Sequence, residues 1–122
     1  MVVWGAPDVT RSFLYVADAA EGIRRVLEAP DHPAPLNLTS TQEVTMEELI
    51  HHITSTLGYH GRVVYDATQP TGHRRRVFDT TRLEQHLGWR PPTGFFAGLD
   101  QTIAWHLQHV ALPTPGSAGA RS

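Results

Sequence analysis

The sequence contains no cysteine and no lysine, and each absence removes a class of function. Without cysteine, the chain has no disulfide, no thiolate metal site and no cysteine nucleophile. All ten basic residues are arginine, so the chain cannot form a lysine Schiff base or a tyrosine–lysine proton-transfer pair. Any function that depends on such chemistry must therefore use residues outside this sequence.

Long apolar runs and a strong charge imbalance are also missing. No run approaches the roughly 18 residues that a membrane helix needs, and no basic segment followed by an apolar one predicts a signal peptide. Twelve acidic and ten basic residues give a net charge of -2, which does not favour general attraction to nucleic acid or to an anionic membrane. These features predict a cytoplasmic chain without a nucleic-acid or membrane partner.

What is present fits a small globular unit of 122 residues with 40% hydrophobic and 18% charged side chains. Short apolar runs alternate with about four helical patterns, so we predict an α/β fold with an α+β-like character. Residues 1–110 are predicted to form one lobe, and the tail at 111–122, rich in Pro, Gly, Ser and Ala, is predicted to be flexible. Few strands are long, which suits a lobe that docks on another sheet.

Local signals predict several boundaries. Thr45 and Glu48 form a capping box at the start of the clearest helix, and Gly58 is expected to end it. Asp18 is predicted to cap an earlier helix, Gly88 to end the third helix, and Thr93 to cap the last. Strands are predicted at residues 13–16, 36–38 and 63–65.

Four segments carry a resemblance to a known family. They are VWG at 3–5, RSFLYVAD at 11–18, the stretch at 58–72 and LGWRP at 87–91. In this order they resemble the C-terminal part of the extended short-chain dehydrogenase/reductases, the NAD-dependent epimerase/dehydratase family that acts on nucleotide sugars. Within it, GYHGRVVYD at 58–66 is most similar to the GDP-L-fucose synthases. The resemblance covers residues 2 to about 110.

The resemblance implies a set of substrate-binding residues and no catalytic residue in this chain. Trp4, Arg11 and Arg62 occupy positions that line the nucleotide-sugar site in the family, and Arg76 is a weaker candidate. The chemistry is suitable, because a guanidinium binds phosphate oxygens through two parallel hydrogen bonds and remains charged. An indole can pack on a sugar or base face while its N–H donates a hydrogen bond.

Three positions depart from the family pattern. Ala17 precedes Asp18 where the family usually has two acidic residues, and Thr71 replaces an aspartate in the loop before the arginines. Arg76 stands where the family has lysine, which keeps the charge and changes its geometry. Thr71 has no carboxylate, so it cannot make the charged contacts that an aspartate makes at that position.

The larger departure is the absence of the family's redox machinery. No glycine-rich dinucleotide motif occurs, and neither Tyr15 nor Tyr65 has a lysine four residues later. The resemblance therefore implies a lobe of an NADP-dependent epimerase/reductase acting on a GDP-4-keto-6-deoxy sugar. NADP(H) is the cofactor of the full-length enzyme, and we expect this chain alone to bind none and to be inactive.

The expected partners follow from the same resemblance. They are a nucleotide-diphosphate sugar, with a GDP-sugar favoured, and either a separate Rossmann-domain chain or a second copy of this chain. A truncated, non-catalytic remnant or a nucleotide-sugar-binding module is the alternative.

Two further patterns admit other functions. Arg74, Arg75 and Arg76 could contact nucleic acid, but the chain is net acidic and has no recognisable nucleic-acid fold. Eight histidines invite a metal site, and His106 and His109 share a predicted helix face. No carboxylate stands at a ligand spacing beside them, so no metal site is predicted.

Overall fold

Short strands alternate with four helices along the chain. The computed structural model describes residues 1–70 and 72–110, so the predicted flexible tail lies outside the described residues. The strands are β1 (Val2–Trp4), β2 (Thr10–Ser12), β3 (Glu43–Thr45), β4 (Val64–Asp66) and β5 (Arg75–Arg76). The helices are α1 (Val16–Glu28), α2 (Met46–Thr56), α3 (Thr81–Leu87) and α4 (Phe95–His109). This arrangement confirms the predicted mixed α/β class.

The described strands form two small sheets. In the first, β1 runs parallel to β4, and Trp4 lies opposite Asp66. In the second, β2 is central, antiparallel to β3 and parallel to β5. Because β2 and β5 are far apart in sequence, this second sheet brings together segments that the chain keeps separate.

Few hydrophobic side chains are buried in the described part of the chain. They are Val9, Val44, Leu83 and Phe95. Val44 belongs to β3, Leu83 to α3 and Phe95 to the first turn of α4. None of the described helices is both long and apolar enough to cross a membrane.

The capping box predicted at the start of α2 and the glycines predicted to end α2 and α3 are confirmed. The Thr45 hydroxyl accepts a hydrogen bond from the Glu48 backbone N–H at 3.1 Å, and the Glu48 carboxylate accepts one from the Thr45 N–H at 2.8 Å. These bonds, led by the one from the Thr45 backbone, lower the pKa of Glu48. Gly58 and Gly88 adopt positive φ angles of 64° and 58° just after α2 and α3, a conformation that favours glycine.

The strand predicted at 13–16 is wrong. The strand is β2, three residues earlier, because its backbone finds partners on both sides, in β3 and in β5. The chain then turns away, Phe13 packs on Phe95 with ring centroids 5.3 Å apart, and Val16 already begins α1. Partners distant in sequence, and not the local apolar run, decide where this strand lies.

The capping roles predicted for Asp18 and Thr93 are also wrong. Tyr15 is the N-cap of α1 and Gly94 that of α4. Asp18 is instead buried in the first turn of α1, where its carboxylate accepts hydrogen bonds from the Thr93 backbone N–H at 2.8 Å and hydroxyl at 2.9 Å. The two residues therefore join α1 to the segment before α4, across 75 positions of sequence.

Residues 36–38 are not a strand in this structure, and the strand predicted at 63–65 is displaced by one residue to β4. A β-strand needs a neighbour with which to exchange hydrogen bonds. β4 has β1 as its neighbour, whereas residues 36–38 have no neighbouring strand among the described residues. The prediction at 36–38 therefore failed for want of a partner strand.

Candidate functional site

Arg11 lies in the middle of the central strand of the second sheet. It is half-buried, and its Nη1 donates a hydrogen bond to the Thr10 carbonyl oxygen at 2.7 Å. Its Nη2 lies near the loop before β5, since a Cβ built on Gly72 would be 3.7 Å from it. Gly72 has a φ of 65°, so the loop turns here in a conformation that favours glycine. The strand and the loop thus fix the position of this guanidinium.

Arg76 is the neighbour of Arg11 across the sheet. The two residues are register partners in the parallel pair of β2 and β5, so their side chains project from the same face. Adjacent strands are about 4.8 Å apart, which places two cations side by side. Arg76 is exposed and forms no salt bridge with any residue in the described ranges. Two neighbouring cations repel each other, and a bound anion would offset that repulsion.

The other two arginines of the triplet are neutralised by carboxylates. Arg75 projects from the opposite face of the sheet and donates two hydrogen bonds to Glu43, at 2.8 and 2.6 Å. The guanidinium of Arg75 lowers the pKa of Glu43. Arg74 forms a salt bridge with Asp8. Of the three arginines, Arg74 and Arg75 are therefore paired with carboxylates and only Arg76 is not. This pairing argues against the triplet acting as one nucleic-acid-binding patch.

Trp4 ends β1 and presents its indole to solvent. Its side chain is 72% exposed, far more than is usual for tryptophan. The chain turns directly after it at Gly5, whose N–H donates to the Asp66 carbonyl oxygen at 2.9 Å. The Asp66 carboxylate accepts hydrogen bonds from Thr68, which lower the pKa of Asp66. The exposed ring thus lies beside a loop that is already ordered by its own hydrogen bonds.

Arg62 lies away from Trp4 along the first sheet. It precedes β4, and its carbonyl oxygen accepts a hydrogen bond from the Met1 amino nitrogen at 2.8 Å. Because Trp4 pairs with Asp66, the last residue of β4, the two side chains stand at opposite ends of the β1–β4 pair. The structure therefore brings Arg11 and Arg76 together and does not bring Arg62 next to Trp4.

Two grooves occur elsewhere in the described part of the chain, and none of these four residues lines either of them. The first has a volume of about 470 Å³ and lies between α1 and residues 36–38. The second, of about 360 Å³, lies between residues 13–16 and the start of α4. Trp4, Arg62 and Arg76 are exposed, whereas Arg11 is half-buried. No cluster of three or more His, Cys, Asp or Glu residues that could hold a metal ion occurs in residues 1–70 and 72–110.

Sequence reasoning did not single out Asp8 and Glu43, the residues that neutralise Arg74 and Arg75. The Asp8–Arg74 salt bridge spans 66 positions of sequence and the Glu43–Arg75 salt bridge spans 32. No spacing between neighbouring residues therefore predicts them. Only the sheet order, with β2 between β3 and β5, brings these charges together.

The comparison with known proteins decides the relationship. Over 110 residues, 90% of its length, the chain is 36% identical to GDP-L-fucose synthase 1 of Arabidopsis thaliana. It is also 36% identical, over 118 residues and 89% of its length, to the GDP-L-fucose synthase of Escherichia coli. The chain is a relative of the GDP-L-fucose synthases. The resemblance seen in its motifs is thereby confirmed, although no protein-family model matches the chain.

The match to GDP-L-fucose synthases is partial in length. The chain spans only 34% of the Arabidopsis thaliana relative and 36% of the Escherichia coli one. A GDP-L-fucose synthetase structure from Naegleria fowleri bound to NADP superposes with a TM-score of 0.80 at 21% identity. That superposition covers 88% of this chain and 34% of the other, and it shows the fold alone. The described lobe therefore has the fold of about one third of a GDP-L-fucose synthase.

Proposed function

We propose that this chain supplies nucleotide-sugar contacts of a GDP-L-fucose synthase-like epimerase/reductase. Arg11 and Arg76 bind the diphosphate, Trp4 packs on the sugar or the base, and Arg62 contacts a more distant part of the same ligand. The observation that carries the proposal is the register pairing of Arg11 with Arg76 within a region 36% identical to a GDP-L-fucose synthase.

The electrostatics of the second sheet support a dianionic ligand. Arg74 and Arg75 already have carboxylate partners, whereas Arg76 has none among residues 1–70 and 72–110. Arg11 holds a second positive charge on the same face. A diphosphate offers oxygens to both guanidinium groups at once, and such charge-assisted bonds are about twice as strong as neutral ones.

We propose that a dinucleotide cofactor binds outside the described residues, and we assign no redox step to this chain. Dinucleotides bind where a glycine-rich turn leads into a helix N-terminus with free backbone N–H groups. Here the Thr45 hydroxyl accepts the Glu48 N–H at the start of α2, and Asp79 accepts the Thr81 N–H at the start of α3. At α4, Gln42 accepts the Phe95 N–H. The family relationship supports NADP as the cofactor of a full-length enzyme, held by residues outside the described lobe.

Calorimetric titration tests the binding proposal. GDP-L-fucose is titrated into the wild-type chain, Arg11→Ala and Arg90→Ala, with UDP-glucose and dTDP-glucose as comparison ligands. Hydrogen bonds to charged groups contribute about 1.5–3 kcal/mol, so Arg11→Ala should weaken binding roughly 10- to 150-fold. Arg90 is exposed and outside the proposed site, so Arg90→Ala should bind like the wild type. Equal affinities for Arg11→Ala and Arg90→Ala would contradict the proposal.

The catalytic part of the proposal has its own test. The purified chain is mixed with NADPH and GDP-4-keto-6-deoxymannose, and absorbance of the reduced cofactor is followed. We expect no oxidation above the rate without protein. Turnover by the chain alone would show that it holds redox machinery that the proposal places elsewhere.

The second candidate that we propose is a non-catalytic remnant or a nucleotide-sugar-binding module. The DNA upstream of the first codon discriminates between the two. An intact frame encoding a glycine-rich turn and Tyr-x-x-x-Lys would support a functional partner for this lobe. A frame broken by stop codons would support the remnant.

A further inference from the structure

The edge strand β5, which carries Arg76, is short and exposed. It contains only two residues, both of them exposed, and in the described ranges it pairs with no strand other than β2. Its register places Arg76 beside Arg11, and the Thr10 N–H donates a hydrogen bond to the Arg74 carbonyl oxygen at 2.9 Å. A strand with so few hydrogen bonds and no buried side chain opens easily. The position of the Arg76 guanidinium therefore depends on what else holds β5 on the sheet.

Glu43 reaches β5 from the far side of the sheet. It belongs to β3, and β2 lies between β3 and β5. Its two carboxylate oxygens each accept one hydrogen bond from Arg75, at 2.8 and 2.6 Å, and the Thr10 hydroxyl of β2 donates to it at 3.4 Å. A guanidinium held by both oxygens of a carboxylate is fixed in orientation as well as in distance. This one side chain therefore connects all three strands.

Glu43 is also the better shielded of the two carboxylates near β5. The Glu43 side chain is 27% exposed, whereas the salt bridge between Arg74 and Asp8 is open to solvent at both ends. Partial burial reduces the screening of an ion pair by salt and water. Glu43 is therefore expected to hold β5 more firmly than Asp8 does.

The Glu43–Arg75 bridge and the proposed ligand site lie on opposite faces of the sheet. Successive residues of a strand project to opposite faces, so Arg75 points toward the Glu43 face and Arg76 toward the Arg11 face. A ligand held by Arg11 and Arg76 would not touch the Glu43 carboxylate. Glu43 can therefore influence that ligand through β5 or through its charge.

We propose that Glu43 is a positioning residue, which holds β5 through Arg75 and thereby keeps the Arg76 guanidinium beside that of Arg11. This inference rests on the proposed function, because it explains how the two diphosphate-binding arginines stay adjacent. The two routes of influence have opposite signs. Removing a negative charge near an anion site strengthens anion binding, whereas loosening β5 weakens it.

Titration with GDP-L-fucose separates the two routes. Calorimetry compares the wild-type chain, Glu43→Gln, Arg76→Ala and the double variant. Glu43→Gln should weaken binding about two- to fivefold, the size expected of one largely exposed ion pair. In the Arg76→Ala background the same change should weaken binding no further, since no guanidinium remains to be positioned.

Glu47→Gln is the matched control, because Glu47 is an exposed glutamate on α2, and it should bind like the wild type. Binding by Glu43→Gln that equals or exceeds that of the wild type would overturn the proposal. An equal loss in the wild-type and Arg76→Ala backgrounds would also overturn it, because a general structural role produces the same loss in both.

Hydrogen exchange tests the positioning without any ligand. The Thr10 N–H reports whether β5 is in place, since it donates to the Arg74 carbonyl oxygen. In Glu43→Gln this amide should exchange about two- to fivefold faster than in the wild type, while amides in the middle of α2 keep their rates. An unchanged rate at Thr10, or the same acceleration throughout α2, would overturn the proposal.

The positioning and binding proposals fail separately. If Arg11→Ala binds GDP-L-fucose like the wild type while Glu43→Gln accelerates exchange at Thr10, Glu43 holds β5 as inferred and the proposed ligand is wrong. If Arg11→Ala weakens binding and Glu43→Gln does not, the ligand assignment stands and Glu43 is not a positioning residue.

Discussion

The second sheet and the α1 groove are both open surfaces, but they are open in different ways. On the sheet, Arg76 is exposed and has no salt bridge within residues 1–70 and 72–110, whereas Arg74 and Arg75 are paired with Asp8 and Glu43. In the groove, the uncovered groups are aliphatic side chains beside unpaired backbone. Small anions suit the first surface, whereas the second offers mainly apolar side chains. The two surfaces therefore differ in the chemistry they present.

The largest expected effect concerns the floor of the groove. Leu83 has no exposed surface, so Leu83→Ala should lower the free energy of unfolding by about 2–5 kcal/mol through lost burial and the cavity left behind. Urea denaturation followed by circular dichroism measures the change. Leu57→Ala, at an exposed leucine, should cost far less. A similar cost for both variants would mean that the groove has no packed floor and that the contrast with the sheet is mistaken.

A smaller loss is expected at the contact that links α1 to the segment before α4. Asp18→Ala removes the acceptor of two hydrogen bonds and leaves the Thr93 N–H without it, which should cost about 1–3 kcal/mol. Thermal and urea unfolding are compared with those of Asp31→Ala, since Asp31 is exposed. If the two variants are equally stable, Asp18 does not hold α1 in place.

On the second sheet, variants of Arg76 separate the contribution of its charge to ligand binding from that of its planar geometry. Arg76→Ala should weaken GDP-L-fucose binding several-fold, less than Arg11→Ala, because Arg76 is more exposed and its charge more screened. Arg76→Lys should restore part of the affinity, since lysine keeps the charge but loses the planar donor pair. Titration of both variants at one salt concentration measures this. Tighter binding by Arg76→Ala than by the wild type would remove this residue from the site.

The smallest effect concerns pH and the Glu43–Arg75 pair. The pKa of Glu43 is lowered in the folded chain from its ordinary value of 4.5, chiefly by hydrogen bonds from Arg75. The pair therefore adds stability above pH 4.5, and this contribution is lost as the pH falls through the lowered pKa. Glu43→Gln should reduce the difference in Tm between pH 7 and pH 3 slightly, since the pair is exposed. Arg75→Gln should reduce it in the same direction, and an increase in either variant would contradict the assignment.

Local signals in the sequence predicted the features that a few neighbouring residues decide. The capping box at Thr45 and Glu48 and the glycines after α2 and α3 are of this kind. The motifs of the resemblance also predicted the relationship to GDP-L-fucose synthases. These features need no knowledge of the tertiary structure.

Features that depend on distant partners were missed. The strand β2 was placed three residues too late, and Asp18 was taken for a cap although it bonds to Thr93, 75 positions away. The sequence also did not predict that Arg74 and Arg75 are paired with carboxylates while Arg76 is not. Asp8 and Glu43 come close to these arginines only in the folded chain. Residues 36–38 form the remaining case, since no neighbouring strand pairs with them among the described residues.

Nuclear magnetic resonance of the isotope-labelled 13.5 kDa chain tests the central claim most directly. GDP-L-fucose is added stepwise, and the backbone, arginine Nε–H and indole N–H signals are followed. The account predicts saturable shifts confined to β1, β2, β5 and the start of β4, with Trp4, Arg11 and Arg76 among the largest. Shifts centred on the α1 groove instead, or no shifts at millimolar ligand, would contradict it.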